Sequence, residues 1–476
     1  MLWVSIALGL FIFQIATILV LDFRNPSKAV AWLSILFIFP VIGFFMYYFL
    51  AKEYKQRKKM QRKDRRVISE IRRAHRVKAE KAAAGDAARR CEIFGEHRLL
   101  GLLSNIPGSP IISGNRIELY DKAEELYTDL LKGMELARSF IHVQFYIVRD
   151  DKVGERFKQM MIRKAREGVA VRLLYDGVGS YKLGRRYIEE LKRAGVEVHV
   201  FLPPLIAFFD KRINYRNHRK IVVIDGKAGY LGGINIGNEY IGGDPKLGYW
   251  RDTHIRIEGG SVYYMQHTFA ADWAFASGKT LIDPKYFPEQ EQVGDETVQL
   301  IASGPDAPWD AVLEVFFGAM AVARNRIYIT TPYFIPDSSI AMALKTAAVS
   351  GVDVRIILPG VPDARIVHWA SLSYVPELLQ AGVRFYQYQK GFIHAKTLII
   401  DRMLATVGTA NMDMRSFFSN FEIMAVLYDR STIIRLERQF LTDVADSKEI
   451  KPAEFESRSK YQRAKEAAAR MLAPLF

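Results

Sequence analysis

His218 and Lys220 stand two residues apart, followed by Asp225, Gly232 and Asn235, and His394, Lys396, Asp401, Gly408 and Asn411 repeat every one of these intervals. A lone His-x-Lys arises by chance, but a duplicate of this length does not. Ile221 to Ile224 is a β-branched run, so His218 and Lys220 fall at the entrance of a strand, where alternate side chains share a face. Asp225 has the opposite parity and opens the turn with Gly226, which makes it an anchor for the strand end rather than a contact to substrate. Asp401 repeats this position, with Arg402 in place of the glycine.

One His, one Lys and one Asn from each copy, facing one another, make a pocket of two imidazoles and two ammonium groups. That set suits a phosphodiester. One imidazole attacks phosphorus to give a covalent phosphohistidine, and the other protonates the departing alcohol, then takes the proton of the incoming hydroxyl. Lys220, Lys396, Asn235 and Asn411 would hold the nonbridging oxygens as charge builds in the transition state. The lysines supply the positive charge, so neither a metal nor another cofactor is called for. A nucleophilic imidazole must be neutral and oriented by an acceptor on its other nitrogen. Glu239 and Glu422 are the candidates for that task, serving either ring, within a copy or across copies. Tyr146 and Tyr333 are expected to line the pocket.

The elements that position these groups are themselves duplicated. Phe140–Ile147 matches Ile327–Phe334, Gly168–Arg172 matches Gly351–Arg355, and Ala194–Val198 matches Ala381–Phe385, each series ending at the His-x-Lys segment. Helices of 10 to 15 residues, such as Val153 to Glu167 and Ser339 to Ser350, alternate with short β-branched strands. The pattern predicts an α/β fold of two similar lobes, each a mixed sheet flanked by helices, over residues 101–285 and 286–476. Gly101 to Gly114 reads as a loop opening the first lobe, and Glu454 to Phe476 as an amphipathic helix whose end, Met471–Phe476, packs on the domain or touches the membrane.

Leu2–Leu21 and Ala29–Leu50 are apolar runs of the length a helix needs to cross a bilayer, with a break at Asn25-Pro26. Residues 1–50 are therefore read as a transmembrane hairpin. Residues 51–100 form a linker with twelve basic residues between Lys52 and Arg76, which carries most of the net charge of +15. Positive charge beside a span marks the cytoplasmic face, so everything after Leu50 is placed in the cytoplasm. The same run can lie on anionic headgroups, at about 1 kcal/mol per basic residue. It clusters beside the spans rather than near the motifs, which argues against nucleic acid as the partner. Cys91 is the only cysteine, excluding an intrachain disulfide framework.

The paired segments resemble the HKD motifs of the phospholipase D superfamily. Within it, Arg24–Leu33, Gly232–Tyr240, Trp250–Asp252, Thr331–Phe334 and Gly408–Phe417 are similar to bacterial cardiolipin synthases. The resemblance implies that HKD lobes at a bacterial inner membrane condense two phosphatidylglycerols into cardiolipin and glycerol, with His218, Lys220, Asp225, His394, Lys396 and Asp401 as the catalytic residues. One departure is Gly233 and Thr409, where superfamily members often carry serine. A transferase must prefer a lipid hydroxyl to water. Phe201–Phe209, just before the first motif, offers an apolar lip for this purpose, or else a strand end and buried loop. Two other readings use the same sequence: a membrane-tethered phospholipase D or phosphodiesterase, and a noncatalytic lipid-binding scaffold, against which the two intact motifs argue. A homo-oligomer is left open.

Overall fold

The computed structural model describes residues 2–21, 26–41, 43–44, 47, 91–203, 214–307 and 309–473. The duplication in the sequence becomes a duplication of strands. Outward from the centre, the first lobe orders Ile111–Tyr120, His254–Glu258, Ala228–Gly232, Ile221–Ile224, Phe140–Phe145, Ala170–Asp176 and Glu197–Phe201. The second orders Glu296–Ser303, Glu422–Leu427, Leu404–Gly408, Thr397–Ile400, Arg326–Thr330, Asp353–Pro359 and Arg384–Tyr388, with Ser447–Glu449 added at its edge. The two innermost strands pair antiparallel, Ile112 opposite Val298, so both lobes share one 15-stranded mixed sheet.

In each lobe three successive strands run parallel, Phe140–Phe145 to Glu197–Phe201 in the first and Arg326–Thr330 to Arg384–Tyr388 in the second, which demands crossover connections, and helices Lys152–Arg166 and Ser338–Val349 supply the first of these. Asp151 accepts from Gly154 N to cap the former, and Asp337 accepts from Ser339 N to cap the latter. Helices cover both faces, and the motif strands Ile221–Ile224 and Thr397–Ile400 are buried at every residue. Helix Val262–Ser277 closes one face with Phe269 and Trp273, and Arg430–Ala445 closes the matching part of the second lobe with Ile433, Leu436 and Phe440. Side chains from both helices belong to one apolar core spanning the lobes.

Several expectations are corrected. Gly101 is not in a loop: His97–Asn105 is a helix that buries Leu99 and Leu103, and the chain is extended again from Ile111. The C-terminal segment is two helices, Pro452–Glu456 and Lys460–Leu472, because Ser459 caps the second with a bond accepted from Gln462 N. The second packs on helix Arg365–Leu372 through Ala469. At the N-terminus, helices Leu2–Leu21 and Pro26–Ile38 pack on each other around Ile18, Trp32 and Leu36. Among the described residues no helix is long and apolar enough to cross a membrane. The basic run after Leu50 and most of the Phe201–Phe209 lip lie outside the described residues.

Candidate active site

The two lobes meet through short backbone pairings beside each His-x-Lys. His218 N donates to Phe421 O at 2.9 Å, and Phe421 N donates to Arg216 O at 2.8 Å. On the other side Gly391–Ile393 pairs in parallel with Tyr249–Arg251, and His394 N donates to Arg251 O at 2.7 Å. Each histidine is thereby aligned with a segment of the opposite lobe, and the next residue of that segment is a carboxylate. Glu422 follows Phe421 and Asp252 follows Arg251.

The consequence is an exchange of partners. His218 Nδ1 lies 3.0 Å from both oxygens of Glu422, and His394 Nδ1 lies 2.7 Å from Asp252 Oδ2. Glu422 and Asp252 are completely buried, and desolvation pushes their pKa values up, but both are lowered overall, Glu422 by His218, Lys220 and the Thr409 hydroxyl and Asp252 by His394, Lys396 and the Thr253 N–H. A carboxylate facing Nδ1 accepts a hydrogen bond from it, which holds the ring proton on Nδ1 and leaves Nε2 as the lone-pair nitrogen. Burial holds both imidazoles neutral: it lowers His218, opposed by Glu422, and lowers His394 to about 3, helped by Lys396. Lys396 Nζ is 2.8 Å from His394 Nδ1 and 2.5 Å from the His394 carbonyl oxygen. The carbonyl is its acceptor, since the Nδ1 proton faces Asp252.

Lys220 donates to the His218 carbonyl at 2.6 Å, the same local bond in the first lobe. Burial lowers Lys220 to about 7 and Lys396 to about 8, and Glu422 and Asp252 oppose the fall in both. Asp225 and Asp401 are in neither ring's reach. Each sits at positive φ, 51° and 52°, a conformation that Asp tolerates better than most residues. Asp225 accepts from the N–H groups of Arg138, Ser139 and Phe140, and Asp401 from those of Arg324, Asn325 and Arg326. They fasten the far end of the motif strand to the start of its neighbour.

Both histidines open on one cavity of about 570 Å³, within the range of a small-molecule site. Tyr146, Tyr333, Asn235, Asn411 and Glu239 also line it. The Tyr146 ring meets His218 edge-on at 5.0 Å and lies 5.4 Å from Lys220 Nζ. Tyr333 donates to Asp363. The asparagine amides point at their own neighbours: Asn235 Nδ2 donates to Tyr240 Oη at 3.0 Å, and Asn411 Nδ2 to Asp413 Oδ2 at 3.1 Å. Glu239 touches neither histidine and pairs instead with Arg149 at 3.1 Å. The short helical turn Asn238–Ile241 holds it on the wall, so the place expected for it is taken by Asp252. Asp252 carried no spacing signal, because the interval from Asn235 to Asp252 differs from that between Asn411 and Glu422.

The departures at Gly233 and Thr409 follow from this asymmetry. Thr409 Oγ1 donates to Glu422 Oε2 at 2.5 Å and accepts from Ile423 N at 2.9 Å, steadying the longer carboxylate. A Cβ on Gly233 would stand 2.0 Å from Asp252 Oδ1, so there the carboxylate occupies the side-chain space. Gly233→Ala is expected to displace Asp252 from His394 and cut kcat by about tenfold or more, whereas Thr409→Ser keeps its hydroxyl and stays within about threefold of wild type. Steady-state kinetics with a folding check by circular dichroism decides it.

Two HKD half-sites sharing one pocket across a continuous sheet define a phospholipase D-like protein. The family described as cardiolipin synthase, PLD-like domain, matches residues 130–273 and 317–444, and a phospholipase D-nuclease N-terminal family matches 9–52. The chain is 40% identical to a cardiolipin synthase of Halalkalibacterium halodurans, over 99% of this chain and 93% of that protein. It is 38% identical to the major cardiolipin synthase of Bacillus subtilis (strain 168), over 99% of both. The crystal structure of a phosphatidylserine synthase from Haemophilus influenzae Rd KW20 shares the fold, with a TM-score of 0.60 at 14% identity over 80% of this chain and all of that one. This chain belongs to the cardiolipin synthase family of phospholipase D-like proteins.

Proposed function

We propose that the protein is a phosphatidyltransferase that condenses two phosphatidylglycerols into cardiolipin and glycerol through a phosphohistidine. The observation that carries the reading is the crossed pair of hydrogen bonds, His218 to Glu422 and His394 to Asp252, which readies two neutral imidazoles on one cavity. One Nε2 attacks the phosphorus of the first lipid, and the second imidazole, having taken up a proton at its own Nε2 as the anionic phosphodiester enters, gives that proton to the departing glycerol. The primary hydroxyl of the second lipid then attacks, giving its proton to that imidazole. Lys220 and Lys396 oppose the negative charge that develops on the phosphoryl oxygens.

The lipid substrate places the site at a membrane, and the N-terminal hairpin is proposed to insert there. Leu8, Ile12, Phe13, Phe37, Ile38 and Val41 are between 58% and 71% exposed, a density of bare apolar side chains that water disfavours. Helix Pro26–Ile38 touches helix Lys460–Leu472, which packs on Arg365–Leu372, and Val367 of the latter lines the cavity. The hairpin thus connects to the pocket wall through two packed helices.

Purified full-length enzyme in mixed micelles with phosphatidylglycerol is expected to yield cardiolipin and glycerol in equal amounts. Phosphatidic acid as the sole lipid product would instead establish a hydrolase. In the same assay kcat/KM should fall as pH rises through about 7 to 8, because Lys220 and Lys396 lose their charge there in the free enzyme. A bound phosphodiester favours the charged lysines, so the alkaline limb of kcat should lie at higher pH than that of kcat/KM. A kcat/KM that climbs steadily to pH 9 would remove the lysines from this role.

A further inference from the structure

The cavity wall carries three guanidinium groups, and they are not equivalent. Arg149 is neutralised by Glu239 at 3.1 Å. Arg216, buried at 4% exposure, reaches the buried Asp176 only through a long contact of 3.4 Å. Arg415 comes from the opposite lobe and donates to the carbonyl of Asn214 at 2.9 Å; among the described residues it makes no ion pair. The two cations are close enough for Arg415 to disfavour the charge on Arg216, and both act on the Tyr146 hydroxyl. Since the Tyr146 ring abuts His218, the pair stands on the His218 side of the cavity. Like charges brought together on a buried wall repel, and an anion between them relieves the repulsion.

The phosphorus under attack already has its own cations, Lys220 and Lys396. Building on the phosphatidyltransferase reading above, we infer that Arg216 and Arg415 form a second anion subsite, which binds the phosphate of the acceptor lipid. The attacking hydroxyl of phosphatidylglycerol is joined to a phosphate through three carbons, so holding that phosphate aims the hydroxyl at the phosphohistidine. The hydroxyl oxygen bonds to phosphorus, the phosphorus–nitrogen bond breaks with its electron pair returning to the imidazole, and the hydroxyl proton passes to the other histidine. Water and free glycerol lack the second phosphate. They gain nothing from the subsite, which therefore favours transfer to lipid over hydrolysis by raising the acceptor's effective concentration.

Full-length enzyme is given phosphatidylglycerol together with radiolabelled glycerol, and two products are followed: labelled phosphatidylglycerol, which needs only the donor half of the site, and cardiolipin, which needs both. In Arg415→Gln the ratio of cardiolipin to labelled phosphatidylglycerol is expected to fall about tenfold or more, the worth of a charge-assisted hydrogen bond, and Arg415→Lys should recover part of it. An unchanged ratio, including one in which both rates fall together, overturns the inference. A second measurement needs no variant: wild-type enzyme should accept glycerol 1-phosphate at a half-saturating concentration at least about tenfold below that of glycerol. Equal concentrations overturn the inference as well. Wild-type enzyme that makes no cardiolipin at all would overturn the underlying phosphatidyltransferase reading instead.

Discussion

Alanine at His218 or at His394 is expected to lower cardiolipin formation on the order of 10⁴-fold or more, because each imidazole does work that no neighbour can assume. The two variants should still differ in one respect. With a phosphatidyl ester of p-nitrophenol the leaving group departs without a proton, so the enzyme lacking only the acid–base histidine can still form the covalent adduct. It should release a burst of nitrophenolate, about one per active site, and carry phosphatidyl label after quenching in alkaline denaturant. The enzyme lacking the nucleophile should show neither. Near wild-type turnover in either variant would sink the paired mechanism, and label on neither would exclude the phosphohistidine.

Glu422→Gln and Asp252→Asn come next in size, with kcat expected to drop on the order of 10³ to 10⁴-fold, as when an amide replaces the carboxylate behind a catalytic imidazole. An amide can donate to Nδ1, which moves the ring proton to Nε2 and removes the nucleophilic lone pair. The exchange across lobes gives this prediction its sharpness: a change in the second lobe, at Glu422, disables the histidine of the first. Either substitution also removes an anion that supports the charge on Lys220 and Lys396. The alkaline limb of the residual kcat/KM should therefore move to lower pH than in wild type. Glu239→Gln, which alters only the Arg149 pair on the wall, is expected to stay within about tenfold. Equal losses at Glu239 and Glu422 would contradict the geometry.

Much of the fold is legible because its signals are local and occur twice. Ile221–Ile224 and Thr397–Ile400 read as buried strands from their β-branched runs, and helix Lys152–Arg166 falls within one residue of the expected span at each end. Asp225 and Asp401 were readable as anchors from parity alone. Gly101 misled because glycine usually breaks helices, yet the burial of Leu99 and Leu103 outweighs its modest propensity cost. The single C-terminal helix was misread for the opposite reason, since the capping Ser459 lies in a charged, polar stretch with no glycine or proline to mark the break.

What the sequence determined by itself is the pair of candidate half-sites: two His-x-Lys segments with matched spacing mark the proposed reacting groups and the strands that carry them, and the apolar hairpin stands upstream. Spacing repeats within a chain, and that is why these could be read. The tertiary structure alone decided which carboxylate serves which histidine. That pairing depends on Phe421 lying against Arg216 and His218, and on Tyr249–Arg251 lying against Gly391–Ile393, contacts between residues some 140 to 200 positions apart. No interval along the chain encodes such a contact. It arises when two similar lobes share one sheet and each completes the other's half-site.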